Sequence, residues 1–170
     1  QTFLAEHFTL DKITLKDQQV SNDKTIKSAF SIDDKSVVEG VLIPTTKRMT
    51  ACISSQVGCS LACTFCATGR LRLLRNLSSG EIFDQVFHLK TEAENRYSKS
   101  LSNIVYMGMG EPLLNYKNVL KSIDWICSDA GLEMSPKRIT VSTAGIAKKI
   151  KQLPEMIDHL LMATNAERPH

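Results

Sequence analysis

From Met49 onward, short apolar runs alternate with longer segments that carry apolar residues at helical spacing. The runs at residues 50–54, 101–107, 138–142 and 157–163 are predicted to be strands. Alternation of strands and helices with short links favours parallel strands joined by right-handed crossovers. We therefore expect an α/β fold that contains the first four βα units of a parallel sheet. Such a sheet, closed as a barrel, places its chemistry at the carboxyl ends of the strands.

Three segments between the predicted strands carry helix signals. In the first, Ser78 stands three residues before Glu81, a capping-box pattern, and the apolar stripe behind it comprises Ile82, Phe83, Val86 and Phe87. A second stripe runs from Tyr116 to Cys127, and Gly131 is expected to end that helix. A short third helix is predicted over residues 146–153, where Pro154 stops it.

The amino-terminal part of the chain has a different pattern. Residues 1–36 are polar and irregular, which indicates the tail of an accessory domain followed by a linker, and residues 37–170 are expected to form the amino-terminal part of the barrel core. Residues 36–44 are predicted to be a strand or a hairpin. The amino end lacks the basic segment of a signal peptide, and no apolar run approaches the roughly 20 residues of a membrane span. We therefore expect a cytoplasmic protein that does not associate with membranes.

Cys59, Cys63 and Cys66 place three of the five cysteines within eight residues. In an intracellular chain, such clustering indicates metal or redox chemistry rather than a disulfide framework. Three thiolates leave one iron of a cluster open, whereas a structural zinc site needs four ligands. Cys52 and Cys127 are possible fourth ligands, although each lies on a predicted regular element. Positions i, i+4 and i+7 also form one face of a helix, so three buried core cysteines are the alternative.

Two further motifs follow predicted strands. Residues 108–112 (GMGEP) contain glycines that permit close backbone approach, and Glu111 can accept hydrogen bonds from an ammonium group. Residues 142–145 (STAG) offer hydroxyl and backbone N–H groups that suit a carboxylate. Each motif taken alone is also typical of an ordinary turn or helix start.

The spacing CxxxCxxC, with an aromatic residue before the last cysteine, resembles the signature of the radical S-adenosylmethionine (radical SAM) superfamily. The resemblance implies a partial (β/α) barrel, a [4Fe–4S] cluster held by Cys59, Cys63 and Cys66, and S-adenosylmethionine bound at the open iron. More closely, residues 50–69, 75–77, 108–115 and 141–145 resemble the dual-specificity rRNA/tRNA adenine-C2 methyltransferases of the RlmN/Cfr family. This likeness extends from about residue 37 to about residue 160, which is most of this chain but about half of a full family member, and it therefore implies a truncated chain.

The family resemblance implies methylation of C2 of an adenosine in 23S rRNA and in tRNA, through a methylated cysteine near the carboxyl terminus. It assigns Cys52 to the disulfide that resolves the covalent adduct, and Glu39 to proton handling. For Cys127 we expect a core position instead. Because no cysteine follows Cys127, we expect the chain to be inactive alone.

The same resemblance implies the cofactor contacts and the partners. Gly110, Glu111 and Ser142 are expected to contact S-adenosylmethionine, and Thr164 aligns with a further cofactor-contacting serine. Besides rRNA and tRNA, we expect an electron donor such as flavodoxin or ferredoxin, and a monomeric full-length protein. The basic residues that flank the cysteines could contact RNA phosphates or form a solvated surface; they are Lys47, Arg48, Arg70, Arg72 and Arg75.

Two other functions remain open from the sequence. One is a radical SAM enzyme that acts on a peptide or a small molecule, which would not need Cys52 and the SSQVG run behind it. The other is a non-catalytic iron–sulfur or zinc module that grips RNA. The response of a reconstituted cluster to S-adenosylmethionine separates the module from either enzyme.

Overall fold

The computed structural model describes residues 13–32 and 35–152. The strands are β1 (Thr14–Val20), β2 (Ile26–Ser31), β3 (Val37–Pro44), β4 (Met49–Cys52), β5 (Gln56–Val57), β6 (Arg75–Asn76), β7 (Asn103–Tyr106) and β8 (Ile139–Val141). The α-helices are α1 (Ser79–Tyr97), α2 (Tyr116–Cys127) and α3 (Ala147–Ile150), with short 3-10 turns at Thr68–Arg70, Pro112–Asn115 and Pro136–Arg138. One mixed sheet has the order β1-β2-β3-β4-β7-β8, and β5 pairs with β6 separately. The predicted α/β class is confirmed.

The second half of the sheet is parallel, as the strand–helix alternation predicted. β4 pairs in parallel with β7, and β7 pairs in parallel with β8. α1 lies between β4 and β7 in the chain, and α2 lies between β7 and β8. The third predicted helix is observed only as Ala147–Ile150. The fourth predicted strand, at residues 157–163, and Thr164 lie outside the described residues.

The first half of the sheet corrects the expectation for the amino-terminal part of the chain. β1, β2 and β3 form an antiparallel meander that continues into β4, so irregular structure is wrong for residues 14–31. β1 is mostly exposed at the edge of the sheet, and its polar composition concealed a strand. β2 buries Ile26, Ser28 and Phe30 on alternate positions. The expected boundary between residues 36 and 37 falls between two paired strands, and residues 37–44 form a single strand rather than a hairpin.

α1 begins at the capping box that the sequence predicted. The Ser78 hydroxyl accepts a hydrogen bond from the Glu81 N–H at 3.2 Å, and the Glu81 carboxylate accepts one from the Ser78 N–H at 2.7 Å. Such a cap typically stabilises a helix by about 1 kcal/mol. Phe87 is 52% exposed and does not belong to the buried stripe, because it lies about 100° around the helix from Val86.

α1 and α2 cover one face of the sheet and form the core with it. The apolar residues buried on these helices are Ile82, Val86, Leu89, Ala93, Val119, Ile123 and Ile126. Gly40 lets α1 approach β3, since a Cβ there would lie 3.2 Å from Leu89 Cδ1. The opposite face carries the partly buried side chains of Glu39, Val41 and Cys52. No helix within residues 13–32 and 35–152 has both the length and the apolar character needed to cross a membrane.

Candidate functional site

The carboxyl ends of the three parallel strands meet at one edge of the sheet. β4 continues into residues 53–57, and β7 continues into the cofactor turn, which we define as residues 107–111. The Gly108 N–H donates to the Ile53 carbonyl at 3.0 Å, and the Ser55 N–H donates to the Met109 carbonyl at 2.8 Å. A Cβ on Gly108 would lie 2.7 Å from the Ile53 oxygen, so this approach requires glycine. The strand ends are thus joined where the sequence predicted the chemistry.

Residues 58–74 form the cysteine loop, and the paired strands β5 and β6 form its stem. Gly58 has a φ of +76°, and a Cβ there would lie 2.0 Å from the Arg72 carbonyl oxygen. A Cβ on Gly69 would lie 2.7 Å from the Cys63 carbonyl oxygen. The backbone enters the left-handed region again at Ala62, with a φ of +48°. Both glycines are therefore needed for the loop to fold back on itself.

The shape of the loop decides between the two interpretations of its cysteines. Cys59, Cys63 and Cys66 lie outside the helices, and all three are partly exposed free thiols. The alternative of three core cysteines on one helix face is therefore wrong. Cys127 ends α2 and packs against the core, as expected. Burial, together with the nearby Asp124 carboxylate, raises the pKa of the Cys127 thiol to about 11, which disfavours the thiolate that a metal requires.

The thiols of the loop fit an iron–sulfur cluster by the chemistry of their donor set. Thiolate is the usual ligand of such clusters, and three free cysteines on one irregular loop can reach a single cluster without rearranging a helix or strand. Among the described residues, no group of three His, Cys, Asp or Glu side chains is already arranged to hold a metal ion. The fold therefore brings three candidate ligands onto one loop.

Glu111 is a buried acid at the centre of the joined strand ends, and it is 3% exposed. Its Oε1 accepts hydrogen bonds from the Leu113 N–H at 3.0 Å and from the Thr143 hydroxyl at 2.6 Å. Its Oε2 accepts one from the Ala144 N–H at 2.8 Å. A carboxylate has about four acceptor positions, and hydrogen bonds within the described residues use three of them.

Of the other predicted cofactor contacts, Gly110 directly precedes Glu111, and Ser142 directly precedes the two residues that bond to the Glu111 carboxylate. Gly110 has a φ of +96°, and a Cβ there would lie 2.5 Å from Gln56 Cβ, so this position also requires glycine. Ser142 is exposed directly after β8. Its neighbour Thr143, which we did not predict, makes the contact with Glu111. The signal was present, because Thr143 is a second hydroxyl within the same STAG motif.

Cys52 and Glu39 lie on the sheet face that the helices leave uncovered. Cys52 is paired with Val41, and Glu39 stands two residues before Val41 on the same face of β3. Burial raises the pKa of the Cys52 thiol, and a hydrogen bond from the Met107 backbone offsets part of that increase. Glu39 forms an ion pair with Lys27 at 2.6 Å, with both side chains nearly half exposed.

The basic residues around the cysteines do not form one patch. Arg75 binds Glu81 through two hydrogen bonds, of 2.9 and 2.6 Å, and so supports the start of α1. Lys47 and Arg48 precede β4 and therefore lie at the opposite end of that strand from the cysteine loop. Arg70 and Arg72 are exposed on the loop itself. Of the five basic residues that flank the cysteines in the sequence, only Arg70 and Arg72 are therefore exposed on the loop of the candidate site.

Three buried amide side chains that the sequence analysis missed hold the backbone of the site; they are Gln56, Gln85 and Asn115. Gln85 accepts from the Ser54 N–H at 3.0 Å and donates to the Ser54 carbonyl at 3.1 Å. Asn115 donates to the Ser55 carbonyl at 2.7 Å. An amide within an apolar helical stripe, as at Gln85, was the signal available in the sequence.

Comparison with known proteins identifies the class. Residues 53–166 match the family model of the Radical SAM superfamily. The match covers more than half of the chain, and the cysteine loop lies inside it. The chain therefore belongs to the radical SAM superfamily. Proteins of this superfamily use a [4Fe–4S] cluster and S-adenosylmethionine, so both predicted cofactors are confirmed.

Two individual relatives show which members of the superfamily the chain resembles. The chain is 55% identical over 152 residues to a protein of Flavobacterium psychrophilum named probable dual-specificity RNA methyltransferase RlmN, an alignment that covers 89% of this chain and 44% of that protein. A protein of the same name from Cytophaga hutchinsonii is 58% identical over 153 residues, which covers 90% of this chain and 42% of the relative. The predicted resemblance to RlmN is thus confirmed, and the chain spans less than half the length of these relatives.

A solved structure agrees with the fold. The crystal structure of a radical SAM methyltransferase from Sphaerobacter thermophilus superimposes with a TM-score of 0.84 at 38% sequence identity. The match covers 89% of this chain and 45% of that one. The fold described above is therefore that of a radical SAM methyltransferase over the matched region.

Proposed function

We propose that this chain supplies the cluster-binding and cofactor-binding part of an RNA methyltransferase that acts on C2 of an adenosine in 23S rRNA and in tRNA. The observation that carries the proposal is the meeting of the cysteine loop, Glu111 and Cys52 at the carboxyl ends of parallel strands. The relatives named dual-specificity RNA methyltransferase support RNA as the substrate. Arg70 and Arg72, exposed on the cysteine loop, are available for RNA phosphates.

The residues divide into metal ligands and cofactor contacts. Cys59, Cys63 and Cys66 would hold the [4Fe–4S] cluster. The remaining acceptor position of Glu111 would bind the ammonium group of S-adenosylmethionine, and Ser142 would donate to its carboxylate. When bound, the cluster and S-adenosylmethionine supply radical chemistry that begins with one-electron cleavage of the sulfonium.

Cys52 is proposed to release the methylated base. Its thiolate attacks the sulfur of a carrier cysteine, an S–S bond forms, and the S–C bond to the base breaks while the carbon takes up a proton. Because burial raises the pKa of Cys52, most of this thiol is protonated near neutral pH, and the step needs a proton acceptor. Glu39 lies on the same face of the adjacent strand and is the proposed proton-handling residue.

The carrier and the partners are proposed to come from outside these residues. No cysteine follows Cys127, so no residue of this chain is assigned as carrier, and we expect no methyl transfer by the chain alone. Flavodoxin or ferredoxin is the proposed electron donor. A cytoplasmic location and a monomeric full-length protein complete the proposal.

Anaerobic reconstitution tests the proposal in two stages. The chain should bind about four irons, and S-adenosylmethionine should change the electron paramagnetic resonance (EPR) spectrum of the reduced cluster. No spectral change would favour a non-catalytic module. In the second stage, reductant, labelled S-adenosylmethionine and unmodified rRNA or tRNA are added, and nucleosides are analysed by mass spectrometry. Formation of 2-methyladenosine by the chain alone would contradict the need for a separate carrier cysteine.

A further inference from the structure

Gln56 connects the stem of the cysteine loop to the cofactor turn. It is the first residue of β5, directly opposite Asn76 of β6, and it is 1% exposed. Its Nε2 donates to Asn76 Oδ1 at 2.7 Å, and its Oε1 accepts from the Glu111 N–H at 2.8 Å. Among the described residues, no other side chain forms hydrogen bonds to both the stem and the turn.

Close packing reinforces these two hydrogen bonds. A Cβ on Gly110 would lie 2.5 Å from Gln56 Cβ and 2.7 Å from its Cγ, so the turn packs directly against the aliphatic part of the Gln56 side chain. The Gln56 N–H also donates to the Met109 carbonyl at 3.2 Å. The side-chain amide of Gln56 is therefore held by two hydrogen bonds and its backbone by a third, and its acceptor oxygen is directed at the peptide that carries Glu111.

We propose that Gln56 is a positioning residue that fixes Glu111 relative to the cysteine loop, so that one S-adenosylmethionine molecule reaches both the cluster and Glu111. This inference rests on the proposed function of both elements. A primary amide suits the position because the stem requires a donor and the turn requires an acceptor. A carboxylate there would place a second negative charge beside Glu111.

The test compares two variants that each remove buried hydrogen bonds. Gln56→Met keeps the length of the side chain and removes both bonds. Ser122→Ala is the matched control, because Ser122 is fully buried and bonds to Tyr106 at 2.8 Å on the helix side of the sheet. Both variants should unfold at lower temperature than the wild type, and both should keep about four irons after reconstitution.

Only Gln56→Met should change the cofactor site. We expect its dissociation constant for S-adenosylmethionine to rise about tenfold, and the cofactor-induced change in the EPR spectrum to weaken. In cluster-free protein, hydrogen exchange at the Glu111 N–H should become faster in Gln56→Met and stay unchanged in Ser122→Ala.

The outcomes separate this inference from the proposed function. If the wild type fails to bind S-adenosylmethionine, the proposed function is wrong, and the positioning role with it. If the wild type binds and Gln56→Met binds equally well, only the positioning role is wrong. Equal loss of affinity in both variants would also overturn it, since the effect would then follow stability alone.

Discussion

The cofactor turn and the cysteine loop are neighbours in space, but they differ in burial and in the kind of hydrogen bond that holds them. Met109 and Glu111 of the turn are buried, at 8% and 3% exposed. Their backbone N–H groups donate to the side-chain oxygens of Ser54 and Gln56, and the Thr143 hydroxyl donates to the Glu111 carboxylate. In the cysteine loop, by contrast, Phe65 is 92% exposed, and the hydrogen bonds that the loop makes within residues 13–32 and 35–152 join backbone groups.

The turn is the part of the site that the protein holds in one geometry without a ligand. Polar groups that are buried and satisfied hold one geometry, so the turn presents Glu111 before any ligand arrives. A loop with few buried contacts opens at low free energy, and a ligand that binds only its closed form stabilises that form. The coordination geometry of the three cysteines is therefore expected to be completed by metal binding, whereas the geometry of Glu111 is not.

The largest expected effect is loss of the cluster from the cysteine loop. Changing Cys59, Cys63 or Cys66 to Ala should each abolish iron binding, because each removes one of the three proposed ligands. Iron counting and absorbance after anaerobic reconstitution measure this. Cys127→Ala is the control and should retain the cluster, as should Cys52→Ala. Iron loss in the Cys52→Ala protein would show that the ligand assignment is wrong.

A second substitution tests whether iron binding requires the loop shape that glycine permits at position 69. Gly69→Ala would place a Cβ 2.7 Å from the Cys63 carbonyl oxygen and 2.9 Å from its nitrogen, so the backbone that carries a ligand must shift. Iron content should fall several-fold, with little change in the thermal unfolding of the core. Gly145→Ala serves as the control, because its φ of +92° imposes strain but no atom lies within 4 Å. Equal iron content in both variants would contradict the role of Gly69.

Substitutions in the cofactor turn should affect the cofactor and spare the iron. Glu111→Ala removes a charge-assisted hydrogen bond worth about 1.5–3 kcal/mol, so the affinity for S-adenosylmethionine should fall about 10- to 150-fold. Thr143→Val removes only one donor to that carboxylate and should weaken binding by about 1 kcal/mol. Isothermal titration of reconstituted protein measures both. Loss of iron in the Glu111→Ala protein would contradict the prediction that the cofactor turn affects S-adenosylmethionine binding without affecting the cluster.

The smallest expected effect concerns the attachment of the loop to α1. Burial opposes ionisation of Glu81, but hydrogen bonds from Arg75 and the Ser78 backbone outweigh it and lower the pKa of that carboxyl. Its contribution to stability is therefore complete above the unfolded pKa of about 4.3 and is lost as the pH falls through the lower folded pKa.

Urea unfolding of wild type and Glu81→Gln at two pH values measures that contribution. At pH 7 the variant should lose about 1–2 kcal/mol of unfolding free energy, and the difference should shrink below about pH 4. Ser78→Ala is a useful comparison, because it removes the other half of the capping box without a titratable group. A difference that did not change with pH would contradict the role of the charge.

Much of this site could be predicted from local sequence. The capping box at Ser78 and Glu81, the strands that precede the GMGEP and STAG motifs, and the position of Cys52 on a strand all depend on neighbouring residues. The edge strand β1 could not be predicted, because its pairing with β2 leaves nearly every side chain in solvent. Its polarity therefore resembled that of a linker.

By itself, the sequence determined the ligand chemistry, the α/β class and the order of the motifs along the chain. Spacing and side-chain type are local properties, and they were enough to single out Cys59, Cys63, Cys66 and Glu111 as candidates. The ion pair between Arg75 and Glu81 was found only in the folded structure. The same holds for the hydrogen bond between Gln56 in the loop stem and Glu111 in the cofactor turn, which are 55 residues apart in the sequence. Hydrogen-bond partners that are distant in the chain become adjacent only when parallel strands align, and no local pattern encodes that pairing.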